Sequence, residues 1–376
     1  IKGNKDNGIT AGAVNPQIIA SVLSLYDSER LQGPTINKAI VNDWGKLDVE
    51  VRKELDAANG SITLVSNTII SPSTDAVIEQ FKSKFGAEHI QYDAVSYDGI
   101  RKAAKATWGE NIIPDIDFSA AKTIVAISAD FLNSWLLPTQ FTGDYQKTRR
   151  PDAEWMSKHF QFETNMSITG SNADVRGMIK PSEQAKVAAA ILAGIGGGSV
   201  PGVTVDLNEA LTAKVEMAIA SLKESKGHSV VVAGSNDMGV QLIVNAINIK
   251  LGALNHTVNI NEGIRMFQSE DSKMNKLVQK VIGGKGPKAI IFMDTNPVYT
   301  LANGKAFGEA LANVPTTISM SMYADETGSK CKIACPTNHA LESWNDLQPK
   351  DSHYSIAQPT IRPLFDTRAA QDSLIV

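Results

Sequence analysis

Two cysteines, Cys331 and Cys335, are all that this chain of 376 residues contains. An iron–sulfur cluster held by four thiolates therefore cannot be assembled within it. The pair lies in KCKIACP; on a strand, residues four apart sit roughly 13 Å from each other, beyond the about 4.4–6.8 Å that a disulfide requires. Buried thiols are expected, and no further soft ligands lie at metal-binding spacing nearby, so no metal site is expected. No apolar run approaches the ~18 residues of a membrane span. Charge of one sign is also missing: 36 Lys and Arg against 40 Asp and Glu leave a net charge of −4, with no basic field for nucleic acid. The first residue is isoleucine and no signal peptide is visible, which reads as a fragment or a processed chain.

What is present is a regular alternation of short apolar runs and amphipathic stretches. The clearest runs from Gly227 to Gly252. Val230 to Ala233 reads as a buried strand, and Val240, Ile243, Val244, Ile247 and Leu251 then recur at helical spacing. Gly234, Ser235, Asn236 and Asp237 fall between strand and helix, where unpaired N–H groups favour anions. The loop has too few glycines for a full dinucleotide fingerprint, and Ser, Asn and Asp are also the preferred helix caps. Comparable strands are expected at 61–65, 123–128, 288–293 and 316–322, so the fold class is α/β with mainly parallel sheets covered on both faces. GIGGGS after the alanine-rich helix 181–193 follows a helix, not a strand, and reads as a linker. The Arg149-Arg150 pair is expected on a salt-bridged face. His339, Glu342, His353 and Tyr354 match no ligand pattern and are expected to pack at an interface.

Several strings carry a resemblance along nearly the whole chain. Glu163-Thr-Asn-Met-Ser167-Ile-Thr169 with Ala173-Asp174, the Asn296-Pro297 turn, Asp325-Glu326-Thr327, Cys335-Pro336 and Leu341-Glu342 resemble the molybdopterin oxidoreductases. SADFLNSWLLP, LYDSERL, HALESWND and the tail HYSIAQPTIRPLFDTRAAQDSL are similar to one type within that family, the large peripheral subunit of bacterial alternative complex III, a quinol:electron-acceptor oxidoreductase. The resemblance implies two doubly wound lobes, one inserted in the other, with extended terminal arms. Its expected divisions are an arm at 1–45, a discontinuous larger lobe at 46–95 and 206–346, an inserted lobe at 96–205 and a tail at 347–376. Strand 61–65 would then share a sheet with strands 230–233 and 289–293.

The departures from the family's pattern bear on function. Asn15 stands where an early Gly-x-x-Cys would supply the last cysteine of a [4Fe–4S] cluster, and an amide is a poor ligand for iron. Only Ser96 falls near the place of the molybdenum ligand, and a helix-cap serine is the plainer reading. Pro181-Ser182-Glu183-Gln184 lacks the glycine and the in-register acid of a guanine-binding turn, and Ser128 replaces a strand-ending glycine. Gly234, Ser235, Asn236, Asn296 and Pro297 are thus expected as a vestigial pterin site, with no catalytic residues. The resemblance implies a non-catalytic module of a respiratory complex, molybdopterin lost and iron–sulfur clusters outside these residues. It also implies partner subunits and a peripheral place on the periplasmic face of the inner membrane. Two alternatives remain: a truncated molybdenum oxidoreductase of the polysulfide or thiosulfate reductase type, and a free-standing nucleotide-binding enzyme using residues 234–237.

Overall fold

The computed structural model describes residues 1–41 and 43–375. They form two compact units: unit 1 comprises residues 1–19, 97–265 and 350–353, and unit 2 comprises 20–96, 266–349 and 354–375. In chain order the strands are β1 (Thr35–Ile36), β2 (Ala39–Ile40), β3 (Ile62–Ser66) and β4 (Glu88–Gln91), all in unit 2. Unit 1 then supplies β5 (Ile113–Ile116), β6 (Thr123–Ile127), β7 (Lys158–Glu163), β8 (Val175–Met178), β9 (Ser229–Ala233) and β10 (Val258–Ile264). Unit 2 resumes with β11 (Ala289–Met293), β12 (Thr316–Met320) and β13 (Ile333–Ala334), and two further strands follow at Asn345–Lys350 and His353–Ala357.

Unit 1 is built on a four-stranded parallel sheet in the order β8-β7-β6-β9. Every residue of β6 and β9 is buried, as expected where helices cover both faces. Val125, Ile127, Phe160, Phe162, Val231 and Ala233 share one core cluster with the helices Gln184–Gly194 and Glu209–Glu224. The helix Met238–Leu251 begins at Asp237, whose Oδ1 accepts the Val240 N–H at 3.0 Å, and ends at Gly252 with φ +69°. That is the Asp-cap, glycine-stop grammar of an isolated helical element. β5 and β10 pair antiparallel, outside the parallel sheet.

Unit 2 has a seven-stranded sheet in the order β2-β1-β13-β12-β11-β3-β4. Its central pairs are parallel, with Ala289 opposite both Ile62 and Thr316, while β1 runs antiparallel to β13. Alternate residues feed two cores. Leu64, Ile291 and Ile318 pack on one face, and Val65, Ile290 and Phe292 on the other.

Three expectations need correction. β9 pairs with β6, not with β3, so residues 206–265 belong with the inserted lobe, whose far boundary lies at 265 and not at 205. A fully buried five-residue run reads alike in either sheet, and only the pairing decides. Of the arm expected at 1–45, residues 20–41 are instead integral to unit 2: β1 and β2 extend its sheet, and Arg30 is buried in an ion pair with Glu342 (Nη2 to Oε2, 2.7 Å). Likewise, residues 354–375 fold as part of unit 2. Arg368 pairs with Asp48 at 2.8 Å and stacks over the Trp44 ring at 4.2 Å. Both cysteines are buried and unbridged, and loss of solvent pushes each thiol up to about 12, so neither is a reactive thiolate.

Candidate functional site

In doubly wound sheets ligands gather where strands end at their carboxyl edge, so each unit has one such place. The five expected site residues divide between them: Gly234, Ser235 and Asn236 follow β9 in unit 1, and Asn296 and Pro297 follow β11 in unit 2.

At the unit 1 edge the chain's own side chains occupy the backbone donors. Glu163, the last residue of β7, accepts from Ser167 N–H (3.1 Å), Ser167 Oγ (2.6 Å), Gln161 Nε2 (3.1 Å) and Arg176 Nε (2.7 Å). Burial works to raise its carboxyl, but these donors outweigh it and hold the group below its ordinary value. A Cβ at Gly170 would stand 1.8 Å from Glu163 Oε1, so a larger residue there would displace the carboxylate. After β6, Asp130 Oδ1 accepts the Thr169 N–H (3.1 Å) and hydroxyl (2.7 Å), and Oδ2 accepts from Asn133 and Ser134. Its carboxyl is lowered in the same way, burial opposing and the Thr169 donors prevailing.

The loop after β9 behaves likewise. Asn236 Oδ1 accepts the Gly99 N–H at 2.8 Å, Ser235 Oγ accepts the Asp237 N–H at 3.1 Å, and Gln241 Nε2 donates to the carbonyls of Ala233 and Ser235. Gly234 is a glycine for a reason internal to the fold: a Cβ there would lie 2.1 Å from the Ser128 carbonyl oxygen. Ser128 itself adopts φ +53°, so the residue standing in place of the family's glycine carries a left-handed backbone.

At the unit 2 edge a cleft of about 390 Å³ remains open beyond β3, β4 and β11. Asn67, Thr68, Asp93, Asp294, Phe267 and Asn345 are among its lining residues, and no Lys, Arg or His is. Asp93 receives the Thr68 N–H (2.9 Å) and hydroxyl (2.6 Å). Asp294, with φ +52°, opens onto the cleft, yet protein crowds its carboxyl. That burial raises it to about 6, the Thr337 hydroxyl partly offsetting the effect and Asp325 adding to it. Asn296 does not line the cleft: its Oδ1 accepts from Thr327 N–H (3.1 Å) and Oγ1 (2.7 Å), and its Nδ2 donates to Glu326 at 2.7 Å. Pro297 opens the short helix Pro297–Thr300. The strings Asn296-Pro297 and Asp325-Glu326-Thr327 are thus brought together, as a mutual brace.

Other singled-out residues have internal partners. Ser96 does not cap the helix Asp98–Trp108; its hydroxyl donates to Asp271 at 2.8 Å. Arg149 pairs with Asp174, and Tyr354 Oη donates to Asp346. Asp294 was visible in the sequence only as an acid after an apolar run, a pattern equally common in plain turns. Among the described residues no group of His, Cys, Asp and Glu could hold a metal ion.

No family model matches the chain. Structural comparison does: acetylene hydratase from Pelobacter acetylenicus superposes with a TM-score of 0.72 over 98% of this chain and 64% of that one, at 10% identity. The fold is that of the molybdopterin oxidoreductases. The formyltransferase/hydrolase complex from Methylorubrum extorquens, crystallised with methylofuran, matches 91% of this chain and 96% of its own at a TM-score of 0.60 and 10% identity. Among curated proteins, the menaquinone reductase molybdopterin-binding-like subunit of Nitratidesulfovibrio vulgaris is 24% identical over 99% of this chain. The chain spans 60% of that relative's length.

A molybdopterin dinucleotide brings pyrophosphate groups, which need free amide donors or cations. The residues present do not fit it. In unit 1 the strand-end donors serve Asp130, Glu163, Asn236 and Asp237, and in unit 2 the cleft presents two carboxylates without a cation. The molybdopterin oxidoreductase fold is thus present, with strand ends whose own side chains take up backbone donors.

Proposed function

We propose that this chain is a non-catalytic, molybdopterin-oxidoreductase-like module of a quinone-linked respiratory complex, of the alternative complex III or menaquinone reductase kind. The observation that carries the reading is the consumption of strand-end amides by Asp130, Glu163 and Asp237. Those side chains take up backbone donors that phosphate oxygens would need, and they are themselves negative. The similarity to a molybdopterin-binding-like subunit of a menaquinone reductase supports the respiratory setting. In this reading the module positions neighbouring subunits, and electrons pass through iron–sulfur clusters held outside these 376 residues, which offer two buried thiols. The complex would sit at the periplasmic face of the inner membrane; no helix among the described residues is long and apolar enough to cross it.

Metal analysis of the full-length protein, purified with its partners, tests the proposal. Iron without molybdenum is expected. Molybdenum in stoichiometric amount would overturn it in favour of an active oxidoreductase of the polysulfide or thiosulfate reductase type.

A further inference from the structure

Unit 2 has a second concavity at the opposite, amino-terminal edge of its sheet, a groove of about 480 Å³ bordered by the starts of β3 and β4 and by the helix Asp271–Ile282. Its charged lining is Lys273, Lys276, Lys280 and Lys285 against Glu88 alone. The chain as a whole has more acids than bases, 40 against 36, so this groove is opposite in sign to the chain's net charge. The helix explains how. Met274, Leu277, Val278 and Val281 are buried on its inner face, which leaves Lys273, Lys276 and Lys280 along the outer one, spread over about 10 Å at 1.5 Å per residue. Lys273 is paired with Glu270 at 2.7 Å. Lys276, Lys280 and Lys285 are exposed and have no ion pair among the described residues.

We propose that this groove seats an acidic segment of a partner protein. The inference rests on the reading of the chain as one module of a complex. A bilayer is flat and meets protruding groups, whereas these charges rim a hollow floored by Gly60, Gly86 and strand starts. Lysines are point charges without the forked geometry that selects a single phosphate, and a row of them matches carboxylates spaced along a chain.

The test uses the full-length protein with its partner subunits. The variant K276E/K280E/K285E is compared with wild type and with K46E/K305E, exposed lysines away from the groove. Partner retention is followed by size exclusion at low and high ionic strength, and binding of a fluorescent hexaglutamate peptide by anisotropy. The expected result is partner loss in the triple variant, with peptide affinity reduced about tenfold at low salt, both unchanged in the control. Unaltered partner retention overturns the proposal whatever the peptide does. So does groove-dependent binding of phosphatidylglycerol vesicles or inorganic pyrophosphate in place of the peptide. Circular dichroism verifies that the triple variant is folded. Metal content is read separately, so molybdenum would remove the functional reading while partner loss would still stand or fall on the lysines.

Discussion

The two units end their parallel strands in opposite ways. In unit 1 the edge is closed from within: Glu163 gathers four donors, Asp130 holds Thr169, and Gly234 packs its Cα against the Ser128 carbonyl. In unit 2 a cleft stays open, and the acids facing it include Asp294, whose carboxyl is raised by enclosure. Both edges lie where doubly wound sheets take their ligands, and their side chains suit an anionic ligand at neither. One has spent its donors on itself, and the other has turned its field against anions. The difference teaches that position at a switch of strand to helix is a property of the fold, while binding is a property of which groups are left unpaired there.

The contrast can be broken by mutation. Glu163→Ala should have the largest effect, a loss of about 3 kcal/mol, because the Arg176 and Ser167 donors lose the buried carboxylate that unites them. Urea unfolding measures it, and a change near zero would mean the unit 1 edge is not held by this carboxylate. Gly234→Ala should cost about 1–3 kcal/mol, since the added methyl meets backbone that cannot swing aside. Were it tolerated, the glycine would have to be explained by ligand approach instead. The smallest effect, and of opposite sign, belongs to Asp294→Asn. The folded carboxyl titrates at about 6 against an ordinary value of 3.8, so between those values the folded state binds more protons than the unfolded and stability falls as pH rises. Asp294→Asn should flatten that slope and slightly stabilise the protein at neutral pH. A wild-type unfolding free energy that is already flat across the window would refute the assignment.

Much of this architecture was legible in the sequence, for a physical reason. Buried parallel strands are short continuous apolar runs, and 230–233 and 289–293 announce themselves as such. Helix limits were legible where Asp237 and Gly252 mark them. Sheet membership was not, because β3 and β9 present the same fully buried pattern and pairing partners are chosen through space. The capping role of Asp237 was foreseeable from residue type. The partners of Asn236 and Asn296 were not, since Gly99 lies 137 residues from the first and Thr327 31 from the second. The open cleft escaped notice because its residues come from six separate stretches of chain.

The pairing of β3 with β11 has a consequence for biosynthesis. Ile62 lies opposite Ala289, 227 positions later (289 − 62). At roughly 5–20 residues per second, a ribosome needs about 11–45 s to deliver that partner. During that interval all of unit 1 from 97 to 265 is translated, while an apolar strand of unit 2 waits with one edge unmatched. The nascent chain is therefore most vulnerable to mispairing before residue 289 emerges, and a chaperone that holds extended apolar segments would find its natural client in that half-made sheet.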